Sequence, residues 1–236
     1  AHKVAFGAGF MMRFGTHVQS MRQAVLDGRI GTVLSGTANF TLWMPYQSGV
    51  WRLQKKNGGG ALMDMGIHCL DLISFITGMR VTEVAAMNEN VLFRDPGYEV
   101  EDSSAVLLRM ENGAQFFVQS SFNIPYAEAK WHLNLFGSKG RLMGDNILGQ
   151  EDTGTLNLID ADMLPTLEPR PQTGYGQGRM CPAVFGNLYT REIESFSESV
   201  LCETPLEVPA TQALEVQRVV DAAYRSSREK RIISLL

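Results

Sequence analysis

Three consecutive glycines followed by a short apolar helical pattern constrain this chain more than any other stretch: Gly58-Gly59-Gly60-Ala61-Leu62-Met63-Asp64-Met65-Gly66-Ile67-His68-Cys69-Leu70-Asp71. The glycines predict a flexible lead-in. At about 100° per residue, Asp64, His68 and Asp71 fall within a sector of roughly 60°, with Leu62, Gly66, Cys69, Leu70 and Ile73 opposite. A helix patterned this way buries its apolar side. Its other side then carries two carboxylates around an imidazole, where an ordinary exposed face carries Lys, Glu and Arg. Three readings of that face stand. Asp64 suits the positive end of the helix dipole, His68 can be a core histidine with one partner, and Asp71 a solvated charge. His and Asp one turn apart can share a metal ion, although no further His or Cys cluster supports one. A histidine titrates near neutrality, and a neighbouring carboxylate favours its charged form, which suits proton transfer at a hydroxyl.

The 236 residues suffice for one large domain or two small ones, and 44% hydrophobic residues can build a substantial core. A net charge of −4 and a pI of about 5.6 argue against nucleic acid as a partner. Cys69, Cys181 and Cys202 are odd in number and lack a Cys-x-x-Cys spacing, so they read as reduced thiols in a cytoplasmic protein. The N-terminus is not a signal peptide, and no apolar run reads as long enough to span a bilayer.

Along the chain, Lys3 to Phe14 reads as a strand. Gly7-Ala8-Gly9 is not a dinucleotide loop, because the third glycine is missing and no βαβ unit follows. A helix is predicted from His17 to Asp27, stopped by Gly28, with His17 at its start. A strand follows from Thr32 to Trp43, and the glycine-led helix runs from Ala61 to Thr77. Strands are then expected over Val81 to Val91, Ser103 to Met110, Ala114 to Phe122, Lys130 to Phe136, Gly140 to Gly144 and Thr155 to Ile159. Asn112-Gly113 predicts a hairpin turn with both residues at positive φ. Gly137-Ser138-Lys139-Gly140 is a turn without the ending of a phosphate loop. Residues 161–180, rich in Pro and Gly, read as irregular. Helices from Phe185 to Leu201 and Thr211 to Arg228, and a closing strand from Ile232 to Leu235, complete the chain. Hairpins in series with helices imply an α+β fold with an open, mainly antiparallel sheet.

The pattern Gly-Gly-Gly-x-Leu-x-Asp-x-Gly-x-His-x-x-Asp, preceded by Trp51-Arg52, resembles the signature of the glucose–fructose oxidoreductase / inositol dehydrogenase / MocA (Gfo/Idh/MocA) family. Leu26-Asp27-Gly28-Arg29-Ile30-Gly31 and the tail from Pro205 to Ser227 are similar to it too. The resemblance implies an NAD- or NADP-dependent oxidoreductase with a Rossmann domain and a second domain. The second domain has helices on one face of its sheet, an architecture like the C-terminal domain of glyceraldehyde-3-phosphate dehydrogenase. Arg13-Phe14 resembles the junction, which divides the chain into residues 1–14, the last strand of a Rossmann domain, and residues 15–236, the substrate-binding and oligomerisation domain. His68 would then be the acid/base, Asp64 its orienter or a substrate-hydroxyl ligand, and Asp71 structural. Arg13, Trp51 and Tyr126 are weaker pocket candidates. The implied partners are a sugar or polyol and further copies of the chain, as a homodimer or homotetramer through the free sheet face; no membrane and no metal are expected.

The family's Glu-Lys-Pro motif is absent, and Glu229-Lys230-Arg231 is misplaced and lacks the proline. No Gly-x-Gly-x-x-Gly follows a strand. NAD or NADP is therefore expected in a parent enzyme, none on this chain alone, and the chain alone is expected to be inactive. The alternative is a stand-alone, non-catalytic polyol-binding or assembly domain.

Overall fold

A computed structural model describes residues 4–125, 131–159, 179–181 and 186–236, the strand at 179–181 by its backbone. Tyr126, the side chain of Cys181 and nearly all of the irregular stretch 161–180 lie outside these residues.

Among the described residues nine strands form one sheet: β1 (Val33–Thr41), β2 (Val81–Glu89), β3 (Ser103–Met110), β4 (Gln115–Ser121), β5 (Trp131–Gly137), β6 (Arg141–Asp145), β7 (Thr155–Ile159), β8 (Arg179–Cys181) and β9 (Ile233–Ser234). Their order is β8-β7-β6-β5-β1-β4-β3-β2-β9. Of these, only β1 and β4 run parallel; every other neighbouring pair is antiparallel. The α+β architecture expected from the sequence is therefore the observed one. Period-two burial explains the orientation of the sheet. Leu133, Ala38, Val118 and Val106 stand in register across four strands and are fully buried. Alternate residues such as Leu107 and Met87 point to the other face and are exposed. Gly36 has no room for a side chain, because a Cβ would meet the Phe116 ring and the Asn134 carbonyl.

The helices α2 (Ile67–Thr77) and α4 (Ala210–Glu229) pack on the sheet, α1 (Thr16–Leu26) packs on α2, and α3 (Leu188–Leu201) packs on the segment Met11–Phe14. Because α2 packs against the sheet, α1 and α4 at once, it is apolar nearly all round: Cys69, Leu70, Leu72, Ile73 and Ile76 are buried. That explains why Lys55–Thr77 has the length and composition of a membrane span, contrary to the expectation from sequence. Most of this stretch is covered by protein. β9 is too short to cover β2, and the N–H groups of Ala86 and Asn88 donate instead to the hydroxyls of Ser226 and Ser227 on α4.

Two local expectations are corrected. Residues 4–14 are not a strand: Gly7 makes a single bridge to Pro209, and Met11–Phe14 is a 3-10 turn. A lone strand has no ladder to join, whereas the turn buries Met11 and Met12 and points Arg13 inward. The β3–β4 turn has positive φ at Gly113 but not at Asn112. Gly113 N–H bonds the Met110 carbonyl, so Glu111–Gly113 form a three-residue loop ending in a left-handed glycine.

Arg13 and Asp71 are 2% and 1% exposed. Arg13 Nη2 lies 2.5 Å from Asp71 Oδ1 and Nε 2.9 Å from Oδ2, while Nη1 donates to the Glu207 carbonyl and Gln212 Oε1. Phe75 lies against the same guanidinium. Removing one partner of such a pair leaves a buried charge alone. Arg13→Met is expected to lower the urea unfolding free energy by about 3–5 kcal/mol, and adding Asp71→Leu to recover most of it. A double variant no more stable than the single one contradicts the pairing.

Candidate active site

The glycine triplet is fitted rather than flexible. Two 3-10 turns, Trp51–Leu53 and Lys55–Asn57, form a strap ahead of the helix. Gly58 ends the second turn at φ +74. A side chain on Gly59 would collide with the Arg52 carbonyl, and one on Gly60, at φ +125, with the Glu101 carboxylate. Gly60 N–H bonds the Arg52 carbonyl at 2.9 Å. Glu101 caps the helix start: Oε1 accepts from Leu62 N at 3.0 Å and from Tyr224 Oη at 2.9 Å, and its carbonyl accepts from Ala61 N.

The first turn, Leu62–Gly66, is a π-helix. Gly66 permits a close approach to Ser120 beneath it. A π turn holds an extra residue, which rotates the side chains before it by about 100° relative to those after it. The face read at constant pitch divides, although the π turn offsets only Asp64, since His68 and Asp71 both follow it on α2. Asp64 and His68 line one cavity of about 400 Å³, while Asp71 turns to Arg13.

The cavity floor is apolar: Met11, Met12, Phe40, Met65 and Trp131 line it, with the Trp131 Nε1 donating to the Thr41 carbonyl at 2.7 Å. Arg52, Asp64 and His68 form one polar wall; Gln150, Glu151, Thr153 and Tyr189 form the other. Asp152 holds that second wall in place. Its carboxylate accepts from Thr16 N, capping α1, and from Arg191 Nη1, both at 2.9 Å. The Gln150 carbonyl accepts from Leu188 N at the start of α3.

His68 is packed edge-on against Phe10, and its buried Nδ1 has no hydrogen-bond partner among the described residues. Burial pushes the imidazole down to about 4, so it is neutral at pH 7. The sequence reading has a neighbouring carboxylate favour the charged ring. Asp64 instead accepts from Arg52 Nε at 2.8 Å, and desolvation outweighs it. Burial likewise raises the Asp64 carboxyl, against the opposing pull of Arg52. A neutral imidazole can accept a proton from an alcohol.

The other sequence candidates lie elsewhere. Arg13 does not line this cavity; it faces a hollow of about 540 Å³ behind α2. The arginines there are paired, Arg22 with Glu207, Arg80 with Glu111 and Arg218 with Glu215. Trp51 is 44% exposed and outside the cavity lining, with the Arg52 guanidinium over its ring. His17 is at the start of α1 but buried, its Nε2 3.2 Å from the Gly154 carbonyl. Arg52, Trp131 and the second wall were not singled out in the sequence; only Arg52 adjoins the motif. Among the described residues no three His, Cys, Asp or Glu side chains converge as a metal site.

The family model for the GFO/IDH/MocA C-terminal domain matches residues 18–143, and the chain belongs to that family. It is 30% identical to the inositol 2-dehydrogenase of Rhizobium meliloti over 99% of its length and 66% of that protein. The fold resembles the aldose-aldose oxidoreductase from Caulobacter crescentus complexed with glycerol, at TM-score 0.80 and 24% identity over 98% of this chain and 64% of that one. It also resembles the WlbA dehydrogenase from Bordetella pertussis in complex with NADH and UDP-GlcNAcA, at TM-score 0.75 and 20% identity over 99% and 64%. The chain thus spans at most 66% of the length of each of these three proteins.

Because the unfolded imidazole titrates near 6.5 and the folded one near 4, the unfolded chain takes up the proton first as pH falls. Stability is full above pH 6.5 and declines by roughly 3 kcal/mol toward pH 4 from this group alone. Urea unfolding from pH 7 to 4 is expected to show that decline in the wild type and to lose it in His68→Gln; parallel curves contradict a buried neutral His68.

Proposed function

We propose that this chain is the substrate-binding and oligomerisation part of an NAD(P)-dependent oxidoreductase. Its substrate is a sugar, polyol or related secondary alcohol, and residues 1–14 join it to a nucleotide-binding domain. The observation that carries this reading is the neutral imidazole of His68 beside Asp64 in a cavity with an apolar floor and two polar walls. Trp131, Phe40 and the methionines suit the C–H face of a ring, and the polar walls suit its hydroxyl edges.

Gly7-Ala8-Gly9 does not fit a dinucleotide loop. It sits in an irregular segment bridged to Pro209, followed by a 3-10 turn rather than a helix. No step through the cofactor is therefore assigned to this chain. What its own residues do is hold the alcohol, keep water from its apolar side and take the hydroxyl proton on the imidazole. Asp64, fixed by Arg52, orients a neighbouring hydroxyl.

The free face of the sheet, with Leu107 and Met87 exposed, supports assembly with further copies. The test uses the longest natural product that contains this chain, assayed with NAD+ or NADP+ and a panel of polyols. His68→Ala is expected to lower kcat/KM by about 10²–10⁴ without altering the sedimentation profile. Leu107→Arg is expected to shift that profile toward the monomer. An unchanged rate in His68→Ala overturns the acid/base role, and an unchanged profile in Leu107→Arg overturns assembly through this face.

A further inference from the structure

Arg52 is held from three directions. Its carbonyl accepts from Gly60 N, its guanidinium lies 4.8 Å from the Trp51 ring centroid, and its Nε donates to Asp64 Oδ2 at 2.8 Å. That is the one hydrogen bond its guanidinium makes among the described residues, so the Nη groups keep their donors. Asp64 keeps an acceptor on Oδ1, since Arg52 takes Oδ2. Both side chains line the cavity that holds His68, and Asp64 is only 12% exposed.

A free acceptor and free donors thus stand side by side with no net charge between them. Adjacent hydroxyls satisfy both, one donating to Asp64 and the next accepting from Arg52. A carboxylate or phosphate finds its attraction to Arg52 offset by Asp64, and Glu151 lining the same cavity adds a second negative charge.

We infer that Arg52 contacts the ligand, and that Arg52 and Asp64 form a charge-neutral clamp for a vicinal diol, selecting uncharged polyols over anionic ones. This deepens the polyol reading above and rests on it. Asp64 supplies the acceptor and Arg52 the donors. The Arg52 charge also opposes the upward push that burial gives the Asp64 carboxyl.

The test monitors the His68 ring resonances of the 236-residue chain by NMR during titration with myo-inositol and, separately, D-glucuronate. In the wild type, myo-inositol is expected to shift them, with glucuronate at least about tenfold weaker. Arg52→Met is expected to weaken myo-inositol by about tenfold or more, with Arg52→Lys in between. Asp64→Asn leaves the guanidinium uncompensated and is expected to raise the affinity for glucuronate relative to myo-inositol by about tenfold, a change of preference that a merely structural role does not produce. Far-UV circular dichroism checks folding, and Asp64→Asn carries the test if Arg52→Met does not fold. No response of the wild type to myo-inositol overturns the polyol reading and the clamp together. Binding by the wild type that survives in a folded Arg52→Met overturns the clamp alone, as does an unchanged preference in Asp64→Asn.

Discussion

The buried ion pair between Arg13 and Asp71 sets where the glycine-led helix sits, and the site depends on that placement. Arg13 reaches α2 from the turn that precedes α1, and through Glu207 and Gln212 it also ties down the segment that leads into α4. A planar guanidinium with several donors can join these parts at one buried point; an ammonium could not match the bidentate geometry. Glu101 fixes the start of the same helix by accepting from Leu62 N and Tyr224. With both ends held, the intervening π turn is free to set the direction of Asp64 without moving His68.

The chemistry depends on which carboxylate pairs with which cation. Two carboxylates near an imidazole suggest a charged ring, yet both are taken by arginines: Asp71 by Arg13 and Asp64 by Arg52. The imidazole is left to desolvation alone, which holds it neutral. The same division separates the two hollows. The larger one is lined by paired arginines and glutamates, while the smaller one keeps a neutral base, spare donors and a spare acceptor over an apolar floor.

Much of the fold was legible in the sequence because its elements repeat at the periods of strand and helix. β3 and β7 begin and end where alternation places them, and α2 stops at Gly78, whose φ of +68 is the left-handed cap expected of a terminal glycine. Asp64 and His68 were legible from motif and spacing. The rest depended on tertiary contacts. Glu101 lies far along the chain from the helix it caps, and nothing in its local sequence marks it. Asp152 braces the second wall from a loop, and Trp131 reads as an ordinary strand aromatic. A constant-pitch projection put Asp71 with Asp64 and His68, and its partner Arg13, 58 residues away in the chain, leaves no local trace. Residues 4–14 carry strand-like residues but have no ladder to join, and a 3-10 turn that buries Met11, Met12 and Arg13 wins instead.

The central claim is that the cavity beside His68 is the alcohol-holding half of an active site. A crystal structure of the chain soaked in myo-inositol tests it most directly. The account predicts a ring seated over Trp131 and the methionine floor, one hydroxyl within about 3 Å of the His68 imidazole and a neighbouring pair on Asp64 and Arg52. A ring bound in the hollow behind α2, or seated with no hydroxyl near His68, would contradict it.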